Sequence, residues 1–219
     1  MKDFSVGEAI SNAWEVFKRN WVLFVGLAVI SAVISGIASS IDRSLGISNF
    51  GIFGFLAATF IAMGAANVAL KSIKGETAEF ADFFTVYPLF LVFLISNFLF
   101  SVIVSIGFIL IIIPGIYLAV RLQFFGYYIV DKNASGTEAV TESLRNSWEL
   151  TRGITLKVFV LDLAFLGLII LGAIPIGLGL LIVFPLITLA SAYVYLKLAG
   201  AEASPVKEPE PVGTPGAHA

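Results

Sequence analysis

An all-α integral membrane bundle is the fold class this sequence predicts, and three observations predict it. Hydrophobic residues occupy 58% of the 219 positions and charged residues only 13%, with a mean hydropathy of +0.98, whereas a globular domain is roughly 45–50% apolar. The apolar residues fall into six long runs, each near the roughly 20 residues a helix needs to cross about 30 Å of hydrocarbon. Lys and Arg are confined almost wholly to alternate connections between those runs. Lipid offers the backbone no hydrogen-bond partner, so each run must be a helix that bonds itself.

The first run extends from Trp21 to about Ala38 and the second from about Phe50 to Leu70, separated by a polar turn, Ser39 to Asn49, that carries Asp42 and Arg43. A third runs from about Pro88 to Leu110. Apolar sequence then continues to Val130, too long for one span. Pro114-Gly115 is the expected break, because proline lacks an amide and clashes with the preceding turn. The fourth span therefore covers Pro114 to Val130. The fifth extends from about Thr155 to Ala173 and the sixth from about Gly177 to Leu198, with Gly172, Pro175, Gly177 and Gly179 turning the chain and Pro185 expected to kink the last helix.

Three amphipathic helices are expected beside these spans. Val6, Ala9, Ile10, Ala13, Trp14 and Phe17 recur at the spacing of one helical face. Trp14 and Trp21 suit the headgroup level, and Lys18 and Arg19 suit anionic lipid heads. Phe80, Phe83, Phe84 and Tyr87 form a second stripe, from a Thr77 cap to Pro88. Ser135 and Glu138 have capping-box spacing ahead of a third, in which Val140, Ser143, Leu144, Ser147, Trp148 and Thr151 share a face and Gly153 ends the helix. Trp148 is its interfacial anchor.

The first and third of these also match in sequence, Glu8-Ala9-Ile10 with Glu138-Ala139-Val140 and Asn12-Ala13-Trp14-Glu15-Val16 with Asn146-Ser147-Trp148-Glu149-Leu150. This predicts a threefold internal repeat of interfacial helix plus hairpin, with units of about 5–70, 76–130 and 135–198 in a membrane domain of residues 1–198. Residues 199–219, with Pro205, Pro209, Pro211 and Pro215 among Glu202, Glu208 and Glu210, are expected to form a disordered cytoplasmic tail. Lys2, Lys18, Arg19, Lys71, Lys74, Lys132, Arg145, Arg152, Lys157, Lys197 and Lys207 fall on one side of the six spans and Arg43 alone on the other. The bias places both termini in the cytoplasm of a multi-pass protein of the cell membrane. Gly36-Ile37-Ala38 loosely resembles a signal-peptide cleavage site, but the apolar stretch is longer than a signal core and is read as a retained span.

Arg121 lies within a span, where an arginine near the bilayer centre costs about 2.5–3.5 kcal/mol. Counting helical rise from the cytoplasmic ends puts Arg121, Asn97 and Asp162 at similar depths, roughly 10–15 Å. The expectation is an intramembrane polar cluster in which Arg121 pairs with Asp162 and Asn97 or Gln123 completes its hydrogen bonds. Ala58, Ala62 and Ala66, and likewise Ser31 and Ser35, are expected to let helices approach closely. With no Cys and a single His, His218, the usual parts of metal sites and serine-type catalysis are missing. No basic excess exists to meet nucleic acid. No cofactor is expected.

Ile113-Pro114-Gly115-Ile116-Tyr117-Leu118-Ala119-Val120-Arg121-Leu122, Ile129-Val130-Asp131-Lys132, Glu138-Ala139 and Ser147-Trp148-Glu149-Leu150-Thr151-Arg152-Gly153 resemble the bacterial and archaeal membrane-domain family named after glycerophosphoryl diester phosphodiesterase. So does the opening segment with Ala13-Trp14 and Phe17-Lys18-Arg19-Asn20-Trp21. The resemblance implies a multi-pass membrane portion of undetermined role. The soluble phosphodiesterase domain, a barrel of about 250 residues, has no counterpart in these 219 residues, so no catalytic residue carries over. The functional expectation is a non-enzymatic module that organises lipid, or a soluble or membrane protein partner, at the membrane face. The alternative is a small transporter or flippase-like protein using Arg121 and Asp162 to handle an anionic headgroup or a proton.

Overall fold

The computed structural model describes residues 4–47, 51–174 and 177–200. The expected tail beyond Gly200, and with it His218, lies outside the described residues, as do Asn49, Phe50 and Pro175. Every regular element among the described residues is helical: α1 (Val6–Arg19), α2 (Trp21–Ser44), α3 (Ile52–Ile73), α4 (Asp82–Thr85), α5 (Phe90–Leu110), α6 (Ile112–Leu122), α7 (Phe125–Asp131), α8 (Glu138–Leu150), α9 (Thr155–Ala173) and α10 (Leu180–Ala199), with a 3-10 turn at Tyr87–Leu89 leading into α5. Six stretches are long and apolar enough to cross a membrane: α2, α3, Asp82–Leu110, Ile112–Asp131, α9 and α10.

The boundaries depart from expectation where a side chain serves a neighbouring helix. The helix α2 runs on to Ser44, through the residues read as a polar turn. Asp42, only 1% exposed, points its carboxylate at the start of α3, accepting the amides of Phe53 (3.2 Å) and Gly54 (2.8 Å). It thereby satisfies two orphan donors at the positive end of that helix. The chain breaks at Ile111, whose backbone is extended, rather than at Pro114. Pro114 sits inside the first turn of α6, where no amide is needed.

Helices form at two of the three places where amphipathic ones are expected, as α1 and α8. The segment from Thr77 to Pro88 does not form a helix of that length. The Asp82 carboxylate accepts the Glu79 amide (2.9 Å) and pairs with Lys71 (2.6 Å), while Asn67 donates to the Asp82 carbonyl (2.7 Å). These bonds hold the chain in a turn until α4 begins. Phe83 is then fully buried against Gly64, where an added Cβ would lie 2.5 Å from the Phe83 carbonyl oxygen. The Ser135/Glu138 capping box is also absent: the residue before α8 is Thr137, in helical backbone geometry and with no side-chain cap. Gly153 takes the left-handed φ of +84° beyond the end of α8, as expected of a stop.

The second helix of each hairpin is the more enclosed. Buried shares of α3, Ile112–Asp131 and α10 are 39%, 44% and 50%, against 22%, 17% and 22% for α2, Asp82–Leu110 and α9. Each outer helix packs on its own hairpin partner and on the inner helix of the hairpin before it, the first hairpin closing on the last: α2 on α3 and α10, α5 on α6 and α3, α9 on α10 and α6. The leading segments follow the same order, α4 on α3, α8 on α7 and α1 on α10. The helix α3 meets α7 and α10 directly, whereas α7 and α10 meet through the stacked rings of Tyr127 and Tyr195 (5.9 Å).

Burial concentrates at one end of the bundle. Met63 to Ile73 of α3, Val120 to Val130 of α6 and α7, and Leu189 to Leu198 of α10 hold nearly half of the buried hydrophobic residues, and there α1, α4 and α8 wrap the inner helices as a collar. Asp131 pairs with Lys74 (2.6 Å) and Lys132 (3.1 Å) and accepts the Tyr195 hydroxyl (3.2 Å). The Glu8 carboxylate docks α1 on α10 by accepting from the Lys197 ammonium (2.6 Å) and the Tyr193 hydroxyl (2.5 Å).

The bonds from Lys197 and then Tyr193 hold the Glu8 pKa below its ordinary value of 4.5. A depressed carboxylate pKa contributes stability above the unfolded value, and that contribution is lost as pH falls through the lower folded one. Acidification below about pH 4.5 is therefore expected to raise amide hydrogen exchange across Val6–Arg19 before the rest of the bundle responds. Glu8→Gln should remove that pH-dependent step.

Candidate functional site

The fourth apolar stretch is interrupted between α6 and α7, at Gln123 and Phe124. Neither Pro nor Gly occurs from Arg121 to Phe125, so nothing local forces the opening. A carbonyl or amide freed inside a protein and left unpaired costs about 1–3 kcal/mol. The partners come from α8. The Ser147 hydroxyl accepts the Phe124 amide (3.0 Å) and donates to the Arg121 carbonyl (2.9 Å). Thr151 Oγ1 lies 3.2 Å from the same carbonyl, sharing its proton with the Ser147 carbonyl at 2.9 Å.

Ser143, Ser147 and Thr151, four residues apart, form one fully buried stripe of α8. At its far end Ser143 and Ser96 of α5 bring their hydroxyls within 3.4 Å. The helix α1 buries Ala9, Ala13, Val16 and Phe17 instead, and it lies against α10, which runs uninterrupted from Leu180 to Ala199. Hydroxyls stand on the collar helix that faces a broken partner.

The Arg121 side chain emerges beside this break and is 95% enclosed, with 5% of the residue exposed. Its guanidinium lies 3.9 Å from the centroid of the Trp148 ring and 5.6 Å from that of Tyr117, one turn earlier on α6. The two rings meet edge to face at 5.9 Å. Nη1 donates to the Thr155 hydroxyl (3.2 Å), and Nε has no hydrogen-bond partner among the described residues. A desolvated cation over an indole face gains about 2 kcal/mol, so aromatic faces take the place expected of a carboxylate.

The structure thus divides the expected polar cluster. Among the described residues no ion pair joins Arg121 to Asp162. Asp162 instead accepts from Gln123 Nε2 (3.0 Å). Asn97 donates to Thr59 Oγ1 (2.8 Å), tying α5 to α3. Thr155, the partner of Arg121, precedes Asp162 by seven residues, about 10 Å along α9. Counting depth from Asp131 as though the fourth span were one straight helix misplaced the guanidinium, because the break and the inserted α8 turn it toward the collar.

Trp14 and Trp21 are exposed on α1 and at the start of α2, and Lys18 and Arg19 are exposed in the last turn of α1. Trp148 is exposed as well, and its ring also covers Arg121. The small residues behave differently from expectation as well. Ala66 is buried in packing, but Ala58, Ala62, Ser31 and Ser35 line an open cleft between α2, α3 and α10. Tyr117, Thr155 and Thr59 were not among the expected site residues. The four-residue spacing of hydroxyls in α8 was the one signal in the sequence that could have exposed the helix break.

Fold and site together define an all-helical bundle with six membrane-length helices whose most enclosed cation is an arginine caged by aromatic rings. A family described as "Protein of unknown function (DUF975)" matches residues 101–202, the part that contains the break, the cage and Asp162. The chain is 28% identical over 247 residues to "Uncharacterized protein Rv2560" of Mycobacterium tuberculosis, covering 97% of this chain and 74% of that protein. No solved structure matches.

Neither description names glycerophosphoryl diester phosphodiesterase, and the resemblance to its membrane-domain family is corrected accordingly. Of the motifs that suggested it, Ile113 to Leu122 and Ser147 to Gly153 fall inside the matched stretch, and the opening segment, Ala13 to Trp21, lies outside it. The first two are occupied with starting a helix at a proline and repairing a helix break, which is structural work and carries no mark of that enzyme.

Ser147→Ala removes both bonds of its hydroxyl and is expected to destabilise the bundle by about 1–3 kcal/mol, read as a lower midpoint of denaturant unfolding in mild detergent. Thr151→Val, which removes a shared bond, should cost less.

Proposed function

We propose that this protein is a non-catalytic multi-pass membrane module of the cell membrane, with both termini in the cytoplasm, whose collar organises lipid and a protein partner at the membrane face. In this reading the chain comprises three copies of one unit, a leading segment followed by a hairpin. The order of packing supports it: each leading segment, and each outer helix, leans on the inner helix of the unit before, and the first unit leans on the third. The middle unit has lost most of its leading helix to the turn around Asp82.

The enclosure of Arg121 carries the proposal. A transport site needs its charged groups to face one water-accessible path. Here the guanidinium is covered by Trp148 and Tyr117 and bonded to Thr155, while the Asp162 carboxylate is engaged by Gln123. An arginine enclosed in this way serves as a pin between α6, α8 and α9. The surface left for lipid is the collar rim, where Trp14, Trp21, Lys18 and Arg19 stand exposed. Each such cation contributes about 1 kcal/mol of attraction to an anionic leaflet.

Two measurements test the reading. Lipids retained by the purified protein should be enriched in anionic headgroups relative to the membrane of origin, and Lys18→Gln with Arg19→Gln should reduce that enrichment. Proton and anion flux into proteoliposomes should equal that of protein-free vesicles. A flux abolished by Asp162→Asn or Arg121→Gln would replace the module with a transporter.

A further inference from the structure

The cleft between α2, α3 and α10 has a volume of about 640 Å³. On α2 it is lined from Phe24 to Ser35 and on α3 from Ala58 to Ala69, so it runs about 16 Å along either helix. Its floor at the collar end is Phe83, and Leu180, Phe184 and Pro185 of α10 form the third wall. Ser31, Ser35 and Thr188 are the polar side chains among its lining, and the Thr188 hydroxyl is already given to the Phe184 carbonyl (3.0 Å). The remaining surface is hydrocarbon.

The other two units show that this opening is a property of its residues. The corresponding seam of α5 is filled by rings, with Phe93 and Phe100 at 5.7 Å and 5.4 Å from Phe125 of α7. Along α9 the inward positions are Val158, Leu161 and Phe165, all buried. At the seam of α2, Ser31, Ala32 and Ser35 face Ala58, Ala62 and Ala65, and none of these is large enough to close the gap. Ala32, Ser35, Ala58 and Ala62 remain exposed as a result.

Size decides between occupants. Spread over a length of about 16 Å, the volume gives a mean cross-section of about 40 Å², roughly half that of a helix about 10 Å across. A helix from a second copy could insert only side chains into this gap, whereas an extended alkyl chain enters it whole. Water gains little from walls of Ala, Leu and Phe, and an unfilled groove forfeits dispersion contacts.

We infer that the cleft between α2, α3 and α10 binds one acyl chain of a membrane phospholipid, held within the protein outline. The inference rests on the membrane setting proposed above. Because the neighbouring seams are closed by phenylalanine and leucine, the site is specific to the first unit.

Native mass spectrometry of the protein delipidated stepwise in detergent, then re-incubated with dioleoyl phosphatidylcholine, provides the test. The wild type should retain one phospholipid. Ala62→Phe, which fills the cleft, should lower occupancy at least tenfold, and Gly36→Phe, on the same helix where an added side chain meets open space, should leave it unchanged. Equal retention in wild type and Ala62→Phe overturns the inference. So does conversion of a dimer to a monomer by Ala62→Phe without loss of lipid, which would make the cleft a contact between copies.

A second arm does not depend on the bulky variant folding. The sequence has no Cys, so Ser31→Cys supplies a single thiol. In vesicles it should resist a charged, water-soluble maleimide and react with an alkyl-chain maleimide. Labelling by the charged reagent overturns the acyl-chain site. Should the termini still lie on one side and the anionic lipid enrichment persist, the module stands without it.

Discussion

The bond from Ser147 to both sides of the break after Arg121 is the constraint on which the rest of the bundle depends. An opened helix in an apolar setting is tolerated only when another group satisfies the freed amide and carbonyl. One hydroxyl does both, accepting from Phe124 and donating to Arg121. Its position draws α8 against α6 and α7, and that approach lays Trp148 over the guanidinium of Arg121 at 3.9 Å. Helix break, docked collar helix and caged cation are therefore one arrangement.

The collar explains why the core sits at one end of the molecule. Inner helices are buried where α1, α4 and α8 wrap them, and the ion pairs of Asp131, Asp82 and Glu8 lie in the same zone. Toward the opposite end the surface is apolar and open, with Ile109 to Ile113 among the most exposed large side chains. Lipid tails complete such a surface at little cost, since hydrocarbon is as apolar as the side chains it meets. An enclosed collar and an apolar far half suit the membrane-organising module proposed above.

Much of the fold was legible because span length and apolar content act over many residues at once. Thr155 to Ala173 appeared as expected, four other spans differ mainly at their ends, and the fourth also opens in its interior at Gln123 and Phe124. The misread ends share a cause. Asp42 looks like a turn residue until its carboxylate is seen capping α3, and Thr77 looks like a cap until Asp82 captures Glu79 and Lys71. Long-range side-chain bonds override local propensity at these points. The site was legible in its parts and not in its pairing. Arg121, Gln123, Asp162 and Trp148 were all singled out, but depth arithmetic assumes straight helices and cannot see which ring covers a cation. Ala58 and Ala62 show the same limit, since small residues at helical spacing permit a close approach or leave a gap, and the neighbours on α2 decide.

Amide hydrogen exchange at Phe124, measured on the wild-type protein in lipid nanodiscs, tests the central claim most directly. If Ser147 holds the broken fourth span, this amide exchanges as slowly as those of the flanking helical residues, although it has no partner within its own helix. Rapid exchange at Phe124, with Val120 and Tyr128 protected, would mean that α8 merely lies beside the break.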